Sequence, residues 1–140
     1  MRIVLDTNAV FSALLWRGTP YRLLQSARLR PDVQLCSSTT LIEELTSVLA
    51  RPAAAKRLAL IGRSARDVLL DDIAATAVVA AAPLAQPVCR DPDDDAVFAA
   101  ALAAADLIVT GDDDLLVLER FQNIPIVKAA VALQMIDAGR

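Results

Sequence analysis

Arg2-Ile3-Val4-Leu5-Asp6-Thr7-Asn8 (residues 2–8) is the stretch on which the fold turns. Ile3, Val4 and Leu5 form an uninterrupted β-branched and aliphatic run, which predicts a first strand from Arg2 to Leu5 that stops at an acid. A helix-like pattern follows at once, from Val10 to Trp16, and Gly18-Thr19-Pro20 breaks it before a second helix from about Tyr21 to Leu29. The same succession then repeats. Val33 to Cys36 predicts a second strand, and Ser37-Ser38-Thr39-Thr40 offers hydroxyls for a helix reaching about Leu49 before Arg51-Pro52. Helices are expected at about Ala53 to Leu60 and Ala65 to Ala80, and Val88-Cys89 is expected as a very short strand between proline-marked turns. Asp93 to Ala105 predicts an alanine-rich helix. Leu107 to Thr110 and Ile124 to Val127 predict strands with a short helix between them, and Ala129 to Ile136 a closing helix. Strands alternating with helices imply an α/β fold, a three-layer α/β/α sandwich around a central, mostly parallel sheet. A single domain over residues 1–140 is the expected organisation.

Composition removes several chemistries. The chain has no histidine, which excludes imidazole acid/base catalysis, Ser-His-Asp triads and His-containing zinc sites. Any metal site must be built from oxygen, which selects hard cations. Cys36 and Cys89 form no C-x-x-C pair and are expected to be reduced. No apolar run approaches the roughly 20 residues needed to span a bilayer, and the first residues do not read as a secretory signal. A cytoplasmic protein is expected. The net charge of -3 offers no general attraction for nucleic acid, so such a substrate would need local basic patches.

In an open parallel sheet, ligands gather at the carboxyl ends of the strands, and acids cluster there. Asp6 ends the first strand, and Asp112, Asp113 and Asp114 follow the strand at 107–110 after one glycine. Asp91, Asp93, Asp94 and Asp95 open the helix before that strand, and Glu43 and Glu44 lie early in the helix after the second strand. Each alone suits an ordinary helix N-terminus. Several carboxylates converging from distant segments would repel one another unless a cation neutralised them. Thr40-Leu41-Ile42-Glu43 fits a capping box, which gives Glu43 a structural task. Glu44 stands three after Leu41 and four before Val48, beside the apolar stripe, and is the better inward candidate. Periodicity does not separate Asp94 from Asp95, because each has apolar partners at helical spacing.

These residues resemble the PIN-domain family, and within it the VapC-like branch of bacterial toxins. Val4-Leu5-Asp6-Thr7-Asn8 is similar to the family's first motif, and the serine-rich helix start leading to Glu44-Leu45 to its second. Asp91-Pro92-Asp93-Asp94-Asp95, Ala105-Asp106 and Ile108-Val109-Thr110-Gly111-Asp112 follow the third and fourth in order. The resemblance implies an acidic quartet of Asp6, Glu44, Asp94 and Asp112, with Asp95 and Asp114 as supplements. It implies that Thr7 and Asn8 orient the first aspartate or a metal-bound water. It further implies a Mg²⁺- or Mn²⁺-dependent ribonuclease, with Asp6, Asp94 and Asp112 as metal ligands and Glu44 acting through water or on a second ion. A small antitoxin protein and a second copy of the chain are the protein partners it suggests, with Trp16, Tyr21 and Phe121 as candidate anchors. Residues Arg51, Lys56, Arg57, Arg63 and Arg66 form the densest basic stretch for RNA, with Arg17 and Arg22 as alternatives near the first motif.

Other readings compete. A haloacid-dehalogenase-like phosphatase also begins with a strand ending in Asp, but its acid/base position two residues on is Asn8 here. A phospho-acceptor receiver domain needs paired acids at the first strand and a mid-chain acceptor Asp, neither of which is present. A catalytically weak or inactive PIN-like domain that acts through protein binding, and a nuclease directed at DNA, share the acidic set.

Overall fold

The computed structural model describes residues 1–89 and 91–138, with the side chains of Pro92 and Asp93 outside that description. Among the described residues the order is β1 (Arg2–Leu5), α1 (Thr7–Leu15), α2 (Thr19–Leu29), β2 (Gln34–Ser37), α3 (Thr39–Leu49), α4 (Pro52–Ile61), α5 (Ala65–Ala75) and β3 (Ala77–Val78). It continues through α6 (Pro92–Ala104), β4 (Leu107–Val109), α7 (Asp113–Leu116), β5 (Arg120–Phe121), β6 (Ile124–Val127) and α8 (Ala129–Ala138). The strands make one sheet in the order β3-β2-β1-β4-β6-β5, parallel except for β5 against β6. The expected α/β sandwich is what forms.

Period-two alternation along the strands builds the layers. Ile3, Leu5, Leu107 and Val109 face α1, α2 and α8, packing with Ala9, Leu23 and Ile136. Val4 and Ile108 face the other way, into a core with Phe98, Ala101, Leu115 and Ile126 from α6, α7 and β6. Both sheet faces are covered, which is why β1 and β4 read as continuous apolar runs. A third cluster of Leu15, Leu45, Leu49, Leu58 and Val68 docks α4 and α5 beside α1 and α3.

Four local expectations need correction. The helix expected to reach residue 80 ends at Ala75: the Thr76 hydroxyl donates to the Asp72 carbonyl at 2.7 Å, and the backbone becomes extended. Ala77–Val78 then pairs with Cys36 and Ser37 as β3. Val88-Cys89 is a loop rather than a strand. The hairpin strand β5 was not foreseen; Gln122 in its turn has a φ of 52°. Finally, α3 is capped by Ser38, whose Oγ accepts from the Leu41 N–H at 3.2 Å, so the box built on Thr40 and Glu43 does not form.

Asp72, on α5, is 5% exposed and borders a small cavity with Leu24 and Leu35. Burial pushes its carboxyl above the usual range, partly opposed by the charge of Arg28. A carboxyl raised by folding ionises first in the unfolded chain, so stability falls as pH rises from the unfolded value through the folded one. Asp72→Asn is therefore expected to raise stability by about 1 kcal/mol at neutral pH, with the gain fading below a pH of about 4. Urea titrations at both pH values measure it. A neutral-pH loss would mean that the carboxylate accepts a hydrogen bond asparagine does not replace.

Candidate active site

The carboxyl edge of the sheet is where the acids meet. Leu5 pairs with Val109 and Val109 with Val127, so the next residues on these strands, Asp6, Thr110 and Lys128, stand side by side. The Asp6 N–H donates to the Val109 carbonyl and the Thr110 N–H to that of Val127, both at 3.0 Å. Asp6 then becomes the N-cap of α1: its Oδ1 accepts the Ala9 N–H at 2.7 Å. Its Oδ2 accepts a hydrogen bond from the Thr110 hydroxyl. At 5% exposure Asp6 is held by both oxygens. Burial, reinforced by the charge of Asp112, raises its pKa, while the bonds from Thr110 and Ala9 pull it down.

Thr110 links Asp6 to Asp112. It is 1% exposed, and its Oγ1 also accepts the Asp112 N–H at 3.0 Å. Asp112 in turn caps α7 through the Asp114 N–H at 2.9 Å. Asp112 and Asp114 border a cavity of about 360 Å³ together with Asp91, Asp94 and Cys89. Strand end, helix start and α7 thus bring four carboxylates to one pocket, with Asp6 buried close to Asp112.

The structure separates the two acids that periodicity left equal. Asp95 accepts the N–H groups of Cys89 at 2.9 Å and Val88 at 3.2 Å, tying the loop to the start of α6. Asp94 instead borders the acidic cavity. The side chain of Asp93 lies outside the described residues. Glu44 is half-buried on α3 but does not border the cavity of Asp94 and Asp112.

Asp6 is oriented by Thr110 and Ala9, whereas Asn8 is exposed and Thr7 is 5% exposed. The Thr7 hydroxyl oxygen is buried with no hydrogen-bond partner among the described residues. Such an orphan costs on the order of 1–3 kcal/mol unless something satisfies it. Thr110 is the residue that sequence reasoning missed. It stood at a strand end and inside the fourth motif without a role of its own, although a hydroxyl beside a strand-end acid was the available signal.

A hard divalent ion suits this donor set chemically, since the donors are carboxylates that disfavour one another's charge. Among the described residues, no three Asp, Glu or Cys side chains stand together at metal-binding geometry. Cys89 is no rival centre. Burial, its bond to Asp95 and the charges of Asp95, Asp94 and Asp112 push its thiol up to about 12, leaving it neutral and unreactive at pH 7.

Two of the five residues of the basic stretch have structural work. The Arg57 Nε donates to the Leu15 carbonyl at 2.8 Å with its guanidinium over Trp16, and Arg63 pairs with Asp71 at 2.6 Å. Arg17 lies over Tyr21, and Arg22 bonds the Thr19 hydroxyl. Phe121 stacks on Phe98 at 4.3 Å and seals the core, whereas Trp16 is 42% exposed. No helix among the described residues is long and apolar enough to cross a membrane.

Compared with protein-family models, residues 2–114 match the one described as PIN domain, a span that holds Asp6, Glu44, Asp94 and Asp112. No curated protein and no solved structure matches the chain.

Proposed function

Because this chain belongs to the PIN-domain family, whose members are generally nucleases, we propose that it is a metal-dependent endoribonuclease that hydrolyses RNA phosphodiester bonds, the toxin of a toxin–antitoxin pair. The observation that carries the reading is the pocket of Asp91, Asp94, Asp112 and Asp114, joined through Thr110 to the buried Asp6. Asp6, Asp94 and Asp112 would hold Mg²⁺ or Mn²⁺, with Glu44 acting through water or on a second ion. Bound there, the ion would lower the pKa of water and neutralise charge building on the scissile phosphate.

The chain's own contribution is preorganisation. Thr110 and the Ala9 N–H hold the Asp6 carboxylate in one orientation, and Thr110 places the Asp112 backbone beside it. Asp95 fixes the loop that forms one wall, and Asp94 borders the pocket itself. Apolar Leu115 and Leu118 border the pocket and limit water on that side. The reading extends to a cytoplasmic protein whose partners are an antitoxin and a second copy of itself, with the exposed Trp16 as an anchor.

The test is cleavage of a mixed single-stranded RNA pool with Mg²⁺, Mn²⁺ or EDTA, by the wild type, Asp94→Asn and Asp112→Asn. The expected outcome is cleavage that needs metal and vanishes in both variants. Equal activity in the variants, or activity that survives EDTA, would overturn the acidic-pocket mechanism. A folded wild type inert on every RNA would favour the protein-binding reading.

A further inference from the structure

A second cavity opens on the other side of Asp112. It is about 570 Å³ and is bordered by Asn8, Ser12, Thr19, Thr110, Asp112 and Lys128 among others. Asp112 is therefore the wall shared with the acidic pocket. The two sides have opposite character. The acidic pocket gathers carboxylates, whereas among the described residues bordering this groove Asp112 is the sole anion and Lys128 the sole cation. Hydroxyl and amide groups make up much of the remaining polar lining.

The position of Lys128 has no evident benefit for the fold. It takes part in neither the Arg30–Asp32 nor the Arg63–Asp71 ion pair, and its ammonium has no hydrogen bond among the described residues. It directly precedes α8, where the positive end of the helix dipole repels rather than stabilises a cation. It is exposed, so it buries little apolar stem. It also lies beyond the residues matched by the PIN-domain model. Yet the register of β1, β4 and β6 places it two strands from Asp6, roughly 10 Å away at ordinary strand spacing.

From this placement we infer that the groove bordered by Asn8, Ser12, Thr19 and Lys128 is a phosphate subsite for the RNA strand. Lys128 contacts a backbone phosphate next to the one cut at the acidic pocket. The inference rests on the ribonuclease reading and adds where the strand runs. Thr19 stands at the start of α2, where Gly18 supplies no side-chain cap and Pro20 has no N–H, so the Thr19 N–H and hydroxyl are the donors this helix start adds for the same anion. The cation binds the strand without entering the carboxylate cluster, where it would compete with a metal.

The experiment compares the wild type with Lys128→Gln, Lys128→Arg and Lys56→Gln. Lys56 is the chain's other lysine and sits in the rival basic stretch on α4. Affinity for a short fluorescein-labelled single-stranded RNA is read by anisotropy in EDTA over a series of salt concentrations, with melting curves to establish folding. Lys128→Gln should weaken binding roughly five- to tenfold and reduce the slope of log K against log[salt] by about 0.7, the loss of one phosphate contact to a single strand. Lys128→Arg should keep both. In the metal-loaded cleavage assay the Gln variant should raise KM with little change in kcat. Unchanged affinity and slope in Lys128→Gln, beside a wild type that cleaves RNA, would overturn the subsite and leave the ribonuclease reading standing. Loss in Lys56→Gln alone would overturn it by routing the strand over α4. A wild type that neither binds nor cleaves RNA would overturn both.

Discussion

Asp6→Asn is expected to cut metal-dependent cleavage by at least about 10³-fold, roughly 4 kcal/mol in the barrier, without unfolding the protein. Asparagine matches the aspartate in shape and is an equally good N-cap, so its carbonyl oxygen keeps the Ala9 N–H. The Thr110 hydroxyl rotates to accept from the new amide while still receiving the Asp112 N–H. What disappears is the charge. Asp6 is buried, and folding raises its pKa through burial and the charge of Asp112, so ionisation destabilises the metal-free fold as pH rises above the ordinary carboxylate range. The metal-free variant should therefore melt at or above the wild-type temperature near neutral pH. A divalent ion should raise the melting temperature of the wild type and leave the variant nearly unchanged. Retained cleavage, or an equal metal-induced shift in both proteins, would remove Asp6 from the ligand set.

Phe98→Ala is expected to cost about 3–5 kcal/mol of stability, a large share of the roughly 5–15 kcal/mol available to a domain. Phe98 is fully buried and stacks on Phe121 with rings 4.3 Å apart and 9° from parallel. It packs in the core that also holds Val4, Ile108 and Leu115, so the sheet, α6 and α7 all lose contacts. Alanine would leave a cavity that the close-packed residues around it fill only in part. Urea unfolding should show a lower midpoint with an unchanged slope, and a loss below about 1 kcal/mol would mean that Phe121 swings in to fill the space. The site should feel the change as well. Phe98 lies four residues after Asp94 on α6, so a shift of that helix would move the carboxylate with it.

How much was legible follows from what each element depends on. β1, β4 and β6 were readable because strands covered on both faces must be apolar throughout, and Ile3-Val4-Leu5 and Leu107-Ile108-Val109 carry that signal locally. β3 and β5 were not, because each is two residues long and exists only through its neighbour: Ala77 by pairing with Cys36, Phe121 by pairing with Ile124. Ala77-Val78 continues an alanine-rich run, so local propensity extended α5 across it. Ser38 rather than Thr40 became the cap of α3 because the strand ends at Ser37 and the helix begins directly after.

The sequence by itself determined the layered α/β class, the order of helices and main strands, the absence of imidazole chemistry and the acids placed at strand ends and helix starts. These follow from periodicity and residue type, which act over a few residues. The tertiary structure alone decided which of those acids share a pocket. The register of β1, β4 and β6 aligned Asp6, Thr110 and Lys128, which lie far apart in the chain. The 88–89 loop engaged Asp95 and left Asp94 on the cavity. A hydrogen bond between residues 104 positions apart leaves no trace in local patterning, because its geometry exists only once the sheet has closed.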